Sequence, residues 1–337
     1  ETAGVYVPAG RFPLVSTVIM TVTPAVAAGV KNIVLCTPPR VHPLDKKNAE
    51  SSGTGLPGKA FKDGLPYADE NIMAAAYICG VRNAYAVGGS QAIAAMAFGT
   101  ESVPRVDVIV GPGNKFVAEA KKLVYGTVGI DMVAGPTEVF IIADESADAQ
   151  WVAADLLAQA EHDVVAQPVL ATDSEAFAEK VSKEIDRQLE TLLTKETASQ
   201  SIKNCGRIII TKDLEEACNI ANRKAPEHLE LAVEKEKLEK LQMLCHNYGS
   251  LFMGHGAAEV FGDYAAGLNH TLPTSGSARF TGGLSVRVFL KTVTTLRTNV
   301  EESGAKKSAE ASGVLGDAEG LAAHARAARL RLGVGIK

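Results

Sequence analysis

Short apolar runs and segments of helical period alternate along most of this chain. The runs "NIVLC" (32–36), "NAYAVGG" (83–89), "VDVIVG" (106–111), "VFIIAD" (139–144), "PVLAT" (168–172), "GRIIIT" (206–211), "LELAV" (229–233) and "GSLFMG" (249–254) read as strands, rich in β-branched residues and bounded by turn formers. Between them, 69–80, 90–98, 114–124, 148–161, 173–196, 212–223 and 234–246 carry apolar residues at helical spacing. Strand–helix alternation predicts an α/β protein built from right-handed βαβ units with mostly parallel sheets. The strands are too many for one small doubly wound sheet, so the chain is divided near "AGPTE" (134–138), into domains 1–135 and 136–285.

Two stretches fall outside the alternation. "PPRVHPLDKKNAESSGTGLPGKAFKDGLP" (38–66) has no period and reads as a surface loop. From about Val286 the pattern changes. Residues 301–313 read as a linker and 317–332 as a last helix with Asp317 as its N-cap, giving a helical C-terminal extension over 286–337. The opening "ETAGVYVPAG" starts mid-pattern and without Met, which predicts a missing N-terminal segment and leaves room for a targeting leader.

One helix breaks its own pattern. In "DAQWVAADLLAQAEHD" the apolar stripe through Val152 and Leu156 continues to position 159, which is Gln159, and His162 follows three residues later. Three residues are about one helical turn, so the amide and the imidazole are expected on one side.

Composition narrows the function classes. With 337 residues, 46% hydrophobic and 22% charged, the chain can bury a large core. A net charge of −5 and the lack of a Lys/Arg cluster with interleaved aromatics argue against nucleic acid as partner. No apolar run reaches the ~18 residues of a membrane helix. Five cysteines without a C-x-x-C pair argue against a disulfide framework or a thiolate metal site, and for a reducing, cytoplasmic compartment.

The candidate chemistry is spread over four His/acid clusters. They are Gln159/Glu161/His162; Glu227–His228 in "APEHLEL"; Glu259, Asp263 and His270 in "AAEVFGDYAAGLNH"; and Glu319 with His324 in the last helix. Singly, each is an ordinary solvated or satisfied histidine. Together they offer nitrogen and oxygen donors with no thiolate, a set that suits a borderline ion such as Zn²⁺. Glu227–His228 sits at a loop–strand edge, where an imidazole can act as general base and a carboxylate can orient it or activate water; a plain surface pair has the same spacing. The turns "VGGSQA" (87–92) and "VGPGNKF" (110–116) each follow a strand and open a helix, a place for an anion, but neither is G-x-G-x-x-G.

In order, "YVPAG", "GGSQAIAAMAFGTE", "VGPGNKFVAEAKKLVYG", "IDMVAGPTEVFIIAD", "DLLAQAEHD", "APEHLEL", "GDYAAGLNHTLPTSGSARFTGGLSV" and "EGLAAHARAARLR" resemble the histidinol dehydrogenases over nearly the whole chain. The resemblance implies two incomplete Rossmann-like domains, a small swapped C-terminal part and a homodimer. It implies a zinc-dependent, NAD-linked oxidation of L-histidinol to L-histidine, the last step of histidine biosynthesis, in two steps through a bound aldehyde. It places one Zn²⁺ per subunit on Gln159, His162, Asp263 and His324, and general bases on Glu227 and His228. Substrate contacts fall on Thr137, Glu259, His270 and Glu319 together with Gln159, His162, His228, Asp263 and His324. NAD faces Tyr6, Gln91 and Asn114.

The chain departs from the family pattern in the long 38–66 stretch, at Leu268 in "GLNHT", and after Phe289 in "LKTVTTLRTN". Those departures leave the reaction type alone and keep a second substrate open, another polar primary alcohol such as a sulfonated propanediol. Two other readings stand beside it. A zinc hydrolase would use the same donors and the Glu–His pair on water, and a shortened chain could fold without turning over.

Overall fold

Two five-stranded parallel sheets, built with the same strand order, form the body of the protein. The computed structural model describes residues 1–10, 12–39, 61–62, 65–66, 68–299 and 301–333. In the first sheet, β1 (Thr2–Tyr6), β2 (Asn32–Cys36), β5 (Asn83–Tyr85), β6 (Val108–Val110) and β7 (Gly129–Ile130) are ordered β5-β2-β1-β6-β7. In the second, β8 (Glu138–Ala143), β9 (Gln167–Thr172), β10 (Arg207–Ile210), β11 (His228–Ala232) and β12 (Ser250–Met253) are ordered β10-β9-β8-β11-β12. Each is therefore a 3-2-1-4-5 arrangement, the order of an incomplete doubly wound fold. A two-residue pair, β3 (Phe61–Lys62) with β4 (Leu65–Pro66), stands apart. The rest of the 38–66 stretch lies mostly outside the described residues.

The sheets read as continuous apolar runs because helices cover both faces. All six residues of β8 are buried. In the first sheet, α1 (Val15–Ala27) and α2 (Glu70–Ile78) cover one face; α3 (Gly89–Phe98) and α4 (Lys115–Val124) cover the other. In the second, α5 (Ala149–Ala160), α6 (Glu175–Leu189) and α7 (Lys195–Cys205) lie against α8 (Leu214–Lys224) and α9 (Lys235–Leu244) across the strands. Side-chain caps set several helix starts. Asp69, Asn114, Asp148, Ser174 and Asp213 each accept from backbone N–H groups of the first turn.

The apolar pattern missed β1, α1 and β7. β1 lies in the opening stretch whose pattern signals only a start in mid-pattern, and α1 in an apolar segment interrupted by Thr21, Thr23 and Pro24. The single helix expected over 173–196 is two helices, separated at 190–194. No described helix is long and apolar enough to cross a membrane.

Residues Glu1–Leu290 form one compact unit and Lys291–Lys337 a second. The first runs past position 286 because Val288 and Phe289 pack into the apolar cluster of Val18, Val22 and Ile72. In the second unit the expected linker at 301–313 is helical. α11 (Ser303–Ala318) and α12 (Ala322–Leu330) form a hairpin, and Asp317 sits in the last turn of α11, paired with Arg329, instead of capping a helix. Two glycines of this helix serve packing, while its Ser and Lys residues at 303–308 stay exposed. Gly316 meets the Ala325 backbone where a Cβ would not fit, and Gly313 faces the Arg329 side chain.

Candidate active site between two strand edges

Most of the site residues of the first unit gather where the ends of the two sheets meet. At the first sheet this is the C-terminal edge, at the point where strand order reverses between β1 and β6; open α/β sheets bind ligands there. At the second it is the N-terminal edge, where Thr137 precedes β8 and Glu227 precedes β11. A cavity of about 170 Å³ lies here, lined among others by Gly111, Pro112, Gly113, Met132, Thr137, His162, Glu227, His228, Asp263 and His270. A second recess shares His162 with it and is lined by Tyr6, Pro8, Phe12, Pro38 and Asn114.

Glu138 organises the pair at positions 227 and 228. Its N–H donates to Glu227 Oε2 (3.0 Å), and its carbonyl is 3.2 Å from His228 Nδ1. A carbonyl only accepts, so Nδ1 carries the proton, and Nε2 is the bare nitrogen, buried with no partner. The Glu138 side chain takes the Ser275 N–H and pairs with Lys224. It thereby tethers two residues held at positive φ, or next to one. Ser275 has φ 55, and Ala225, beside Lys224, has φ 53. Non-glycine residues in that region cost about 1–3 kcal/mol and persist where neighbours fix them.

Burial sets the protonation states. Glu227 is pushed up to about 8 by loss of solvent, against hydrogen bonds from Thr137 Oγ1 (2.5 Å) and the Glu138 N–H. His228 is pushed down to about 4 by the same burial. Glu259, also buried, is held well above the carboxylate range by loss of solvent, then by the neighbouring carboxyls. The approaches of His228 Nδ1 to Glu227 (3.9 Å) and Glu259 (3.7 Å) are therefore contacts of neutral groups, not ion pairs.

These shifts give the metal-free chain a defined pH response. A group whose folded pKa is raised stabilises below its unfolded value and loses that contribution as pH rises through its folded value. For Glu227 the loss runs from 4.5 to about 8. His228, with its folded pKa lowered, costs stability as pH falls from 6.5 to about 4. Above 6.5 only the Glu227 effect remains of the two. Urea midpoints of the metal-free chain are expected to fall between pH 6.5 and 8, and Glu227→Gln to flatten that decline. An equal slope in the variant would remove Glu227 as its source.

The other expected residues are placed as follows. Gln159 is in α5, 1% exposed, behind Thr137; its Nε2 donates to Thr137 Oγ1 (2.9 Å) and its Oε1 has no partner. His162 lies outside the helix, since α5 ends at Ala160 with Glu161 as C-cap, so the two donors do not share a helical face as spacing suggested. His270 Nε2 is 3.1 Å from Ser16 Oγ. Glu259, the first residue of α10 (Glu259–Tyr264), stands behind His228 rather than on the cavity wall. Tyr6, 3% exposed, accepts the Gly89 N–H at the head of α3; Asn114 caps α4; and Gln91 is exposed on α3. Glu319 and His324 belong to the second unit. Glu138, with Ser16 and Thr274 on the cavity wall, the latter accepting the Gly135 N–H, stands outside the residues expected from sequence. An acid directly before the apolar run "VFIIA" was the one available signal, for Glu138.

Gln159 Oε1 is a buried acceptor without a donor, and His162 and Asp263 line the cavity nearby. This oxygen and nitrogen chemistry fits a borderline divalent cation. Among the described residues, no group of three or more His, Cys, Asp or Glu side chains is gathered to hold an ion; the Gln159 amide is outside that set.

The family model for histidinol dehydrogenase matches residues 1–50 and 64–332. The chain belongs to the histidinol dehydrogenase family. It is 47% identical to the histidinol dehydrogenase of Thermus thermophilus over 333 residues, 98% of this chain and 73% of that protein. It is 46% identical to that of Aquifex aeolicus, over 98% of this chain and 70% of the relative. The crystal structure of histidinol dehydrogenase from Elizabethkingia anophelis superimposes with a TM-score of 0.86 at 38% identity, covering 98% of this chain and 70% of that one. The gap in the family match falls inside 38–66, the stretch expected to depart. As a histidinol dehydrogenase family member the chain is an oxidoreductase, and the hydrolase reading is not favoured.

Proposed function

We propose that this chain oxidises L-histidinol to L-histidine in two successive steps, using NAD and zinc, as one subunit of a homodimer in a reducing, cytoplasmic setting. The observation that carries the reading is the buried Glu227–His228 pair on a cavity wall, with one bare imidazole nitrogen and one carboxyl raised toward neutrality, in a member of this family. The five free cysteines accord with the compartment.

Gln159, His162, Asp263 and His324 would hold the zinc, which supplies an electrostatic anchor for the substrate and no redox chemistry of its own. NAD, beside Tyr6, Gln91 and Asn114, supplies the hydride acceptor for each oxidation. His228 Nε2 takes the alcohol proton, while the Nδ1–Glu138 bond keeps the ring in the right tautomer. Glu227, held by Thr137 and Glu138, takes a proton from the water that attacks the aldehyde when it is ionised, so this step gains as pH rises toward about 8. Thr137, His270 and Glu319 position the substrate, with Glu259 acting on it from behind His228, and holding the aldehyde in the site between the two oxidations limits its escape.

The test is product stoichiometry. Zinc-loaded protein given L-histidinol and NAD is expected to reduce two NAD per histidine formed. Turnover of a sulfonated propanediol but not of L-histidinol would move the substrate to that alternative; no turnover of either would sink the reading.

A further inference from the structure

None of these roles uses the most deeply buried Lys–Asp pair among the described residues. Lys121 on α4 and Asp131, just after β7, have side chains 2% and 0% exposed and are bonded Nζ to Oδ1. Neither lines the cavity. A buried ion pair often gains nothing over apolar residues of the same volume, so stability alone is a poor reason for it.

The remaining bonds of the pair converge on one residue. The Gly111 N–H donates to Asp131 Oδ2 (2.7 Å), and the Gly111 carbonyl accepts from Lys121 Nζ (2.9 Å). Gly111 has φ +116, and a Cβ there would collide with the Tyr6 carbonyl. The chain leaves the sheet at this point in a conformation that no strand ladder supports, so the ion pair satisfies both polar groups of the residue where the turn begins. Asp131 Oδ1 also accepts the Met132 N–H (2.6 Å). Gly111, Pro112, Gly113 and Met132 are walls of the main cavity, and Asn114 is a wall of the adjoining recess.

We infer that the Lys121–Asp131 pair is a positioning device for the dinucleotide: it fixes the course of the Gly111–Asn114 turn, whose backbone and Asn114 side chain face the cofactor. The inference rests on the reading that NAD binds at this edge of the first sheet. A pair of opposite charges adds no net charge, so its effect is on geometry. It lowers the cost of ordering the turn when the cofactor binds.

Lys121→Met tests this, with Lys121→Met/Asp131→Leu as the variant that leaves no unpaired buried charge. Calorimetric titration of the zinc-loaded chain with NAD, and separately with L-histidinol, gives the readout. Binding of NAD is expected to weaken by about tenfold, and that of L-histidinol by less, since Gly111, Pro112 and Gly113 also wall the substrate cavity. Unchanged NAD binding, an equal loss for both ligands, or failure of both variants to fold would each overturn the inference. If the unaltered chain does not bind NAD, the functional reading fails first and the inference with it.

Discussion

His228→Asn is expected to lower the steady-state rate of L-histidinol oxidation by about a thousandfold, within the range that general-base catalysis contributes. Asparagine is the informative replacement. Its amide N–H can still donate to the Glu138 carbonyl, so the backbone arrangement at β8 and β11 survives. What disappears is the bare Nε2, a buried imidazole acceptor on the cavity wall. Glu227→Gln separates the two steps. Glutamine keeps an oxygen for the Thr137 hydroxyl and the Glu138 N–H but cannot take a proton from water. In a single turnover with excess NAD, the parent is expected to reduce two equivalents per site and Glu227→Gln about one, the aldehyde step being slowed by about a hundredfold or more. Two equivalents at the parental rate would remove Glu227 from water activation. Full activity in His228→Asn would remove His228 as base.

Much of this architecture was legible in residue pattern, and the parts that were not share a physical cause. Central strands such as "VFIIA" announce themselves because burial on both faces demands unbroken apolar runs. β1 and α1 did not, since "TAGVY" mixes small residues with large ones and α1 carries Pro24 and several threonines. Thr21 returns its hydroxyl to the Thr17 carbonyl, which makes a polar residue tolerable inside a helix. The site residues were named by family resemblance and not by spacing. Gln159 and His162 were joined on the assumption that one helix carries both, and the helix ends between them. Glu138 was passed over because its importance lies in its backbone N–H and C=O, which no side-chain pattern reports. The hairpin of α11 and α12 was hidden for a related reason: glycines at 313 and 316 look like linker composition until a second helix packs against them.

Gln159→Leu is expected to weaken zinc binding by more than ~100-fold, beyond what loss of a supporting second-layer contact costs, while the metal-free chain stays as stable as before or becomes more so. The two halves of that expectation follow from one atom. Gln159 is 1% exposed, and its Oε1 has no hydrogen-bond partner. An unsatisfied buried acceptor costs about 1–3 kcal/mol, whereas the Nε2 bond to Thr137 returns only about 0.5–1.5 kcal/mol. Leucine has nearly the same size and continues the stripe of Val152 and Leu156 against the second sheet. Without metal, then, the amide is a net burden, and its presence is explained by a ligand that uses the oxygen. Competition against a chromogenic chelator measures the affinity, and urea denaturation of the chelated protein measures the stability. Chelation should stop turnover in the parent and added zinc restore it; Gln159→Leu should need far more zinc for the same recovery. If instead leucine destabilises the metal-free chain by about 1 kcal/mol or more and leaves zinc affinity unchanged, Gln159 is an ordinary structural amide whose task is to hold Thr137. The ion would then keep His162, Asp263 and His324 and take its remaining donor from another group on the cavity wall.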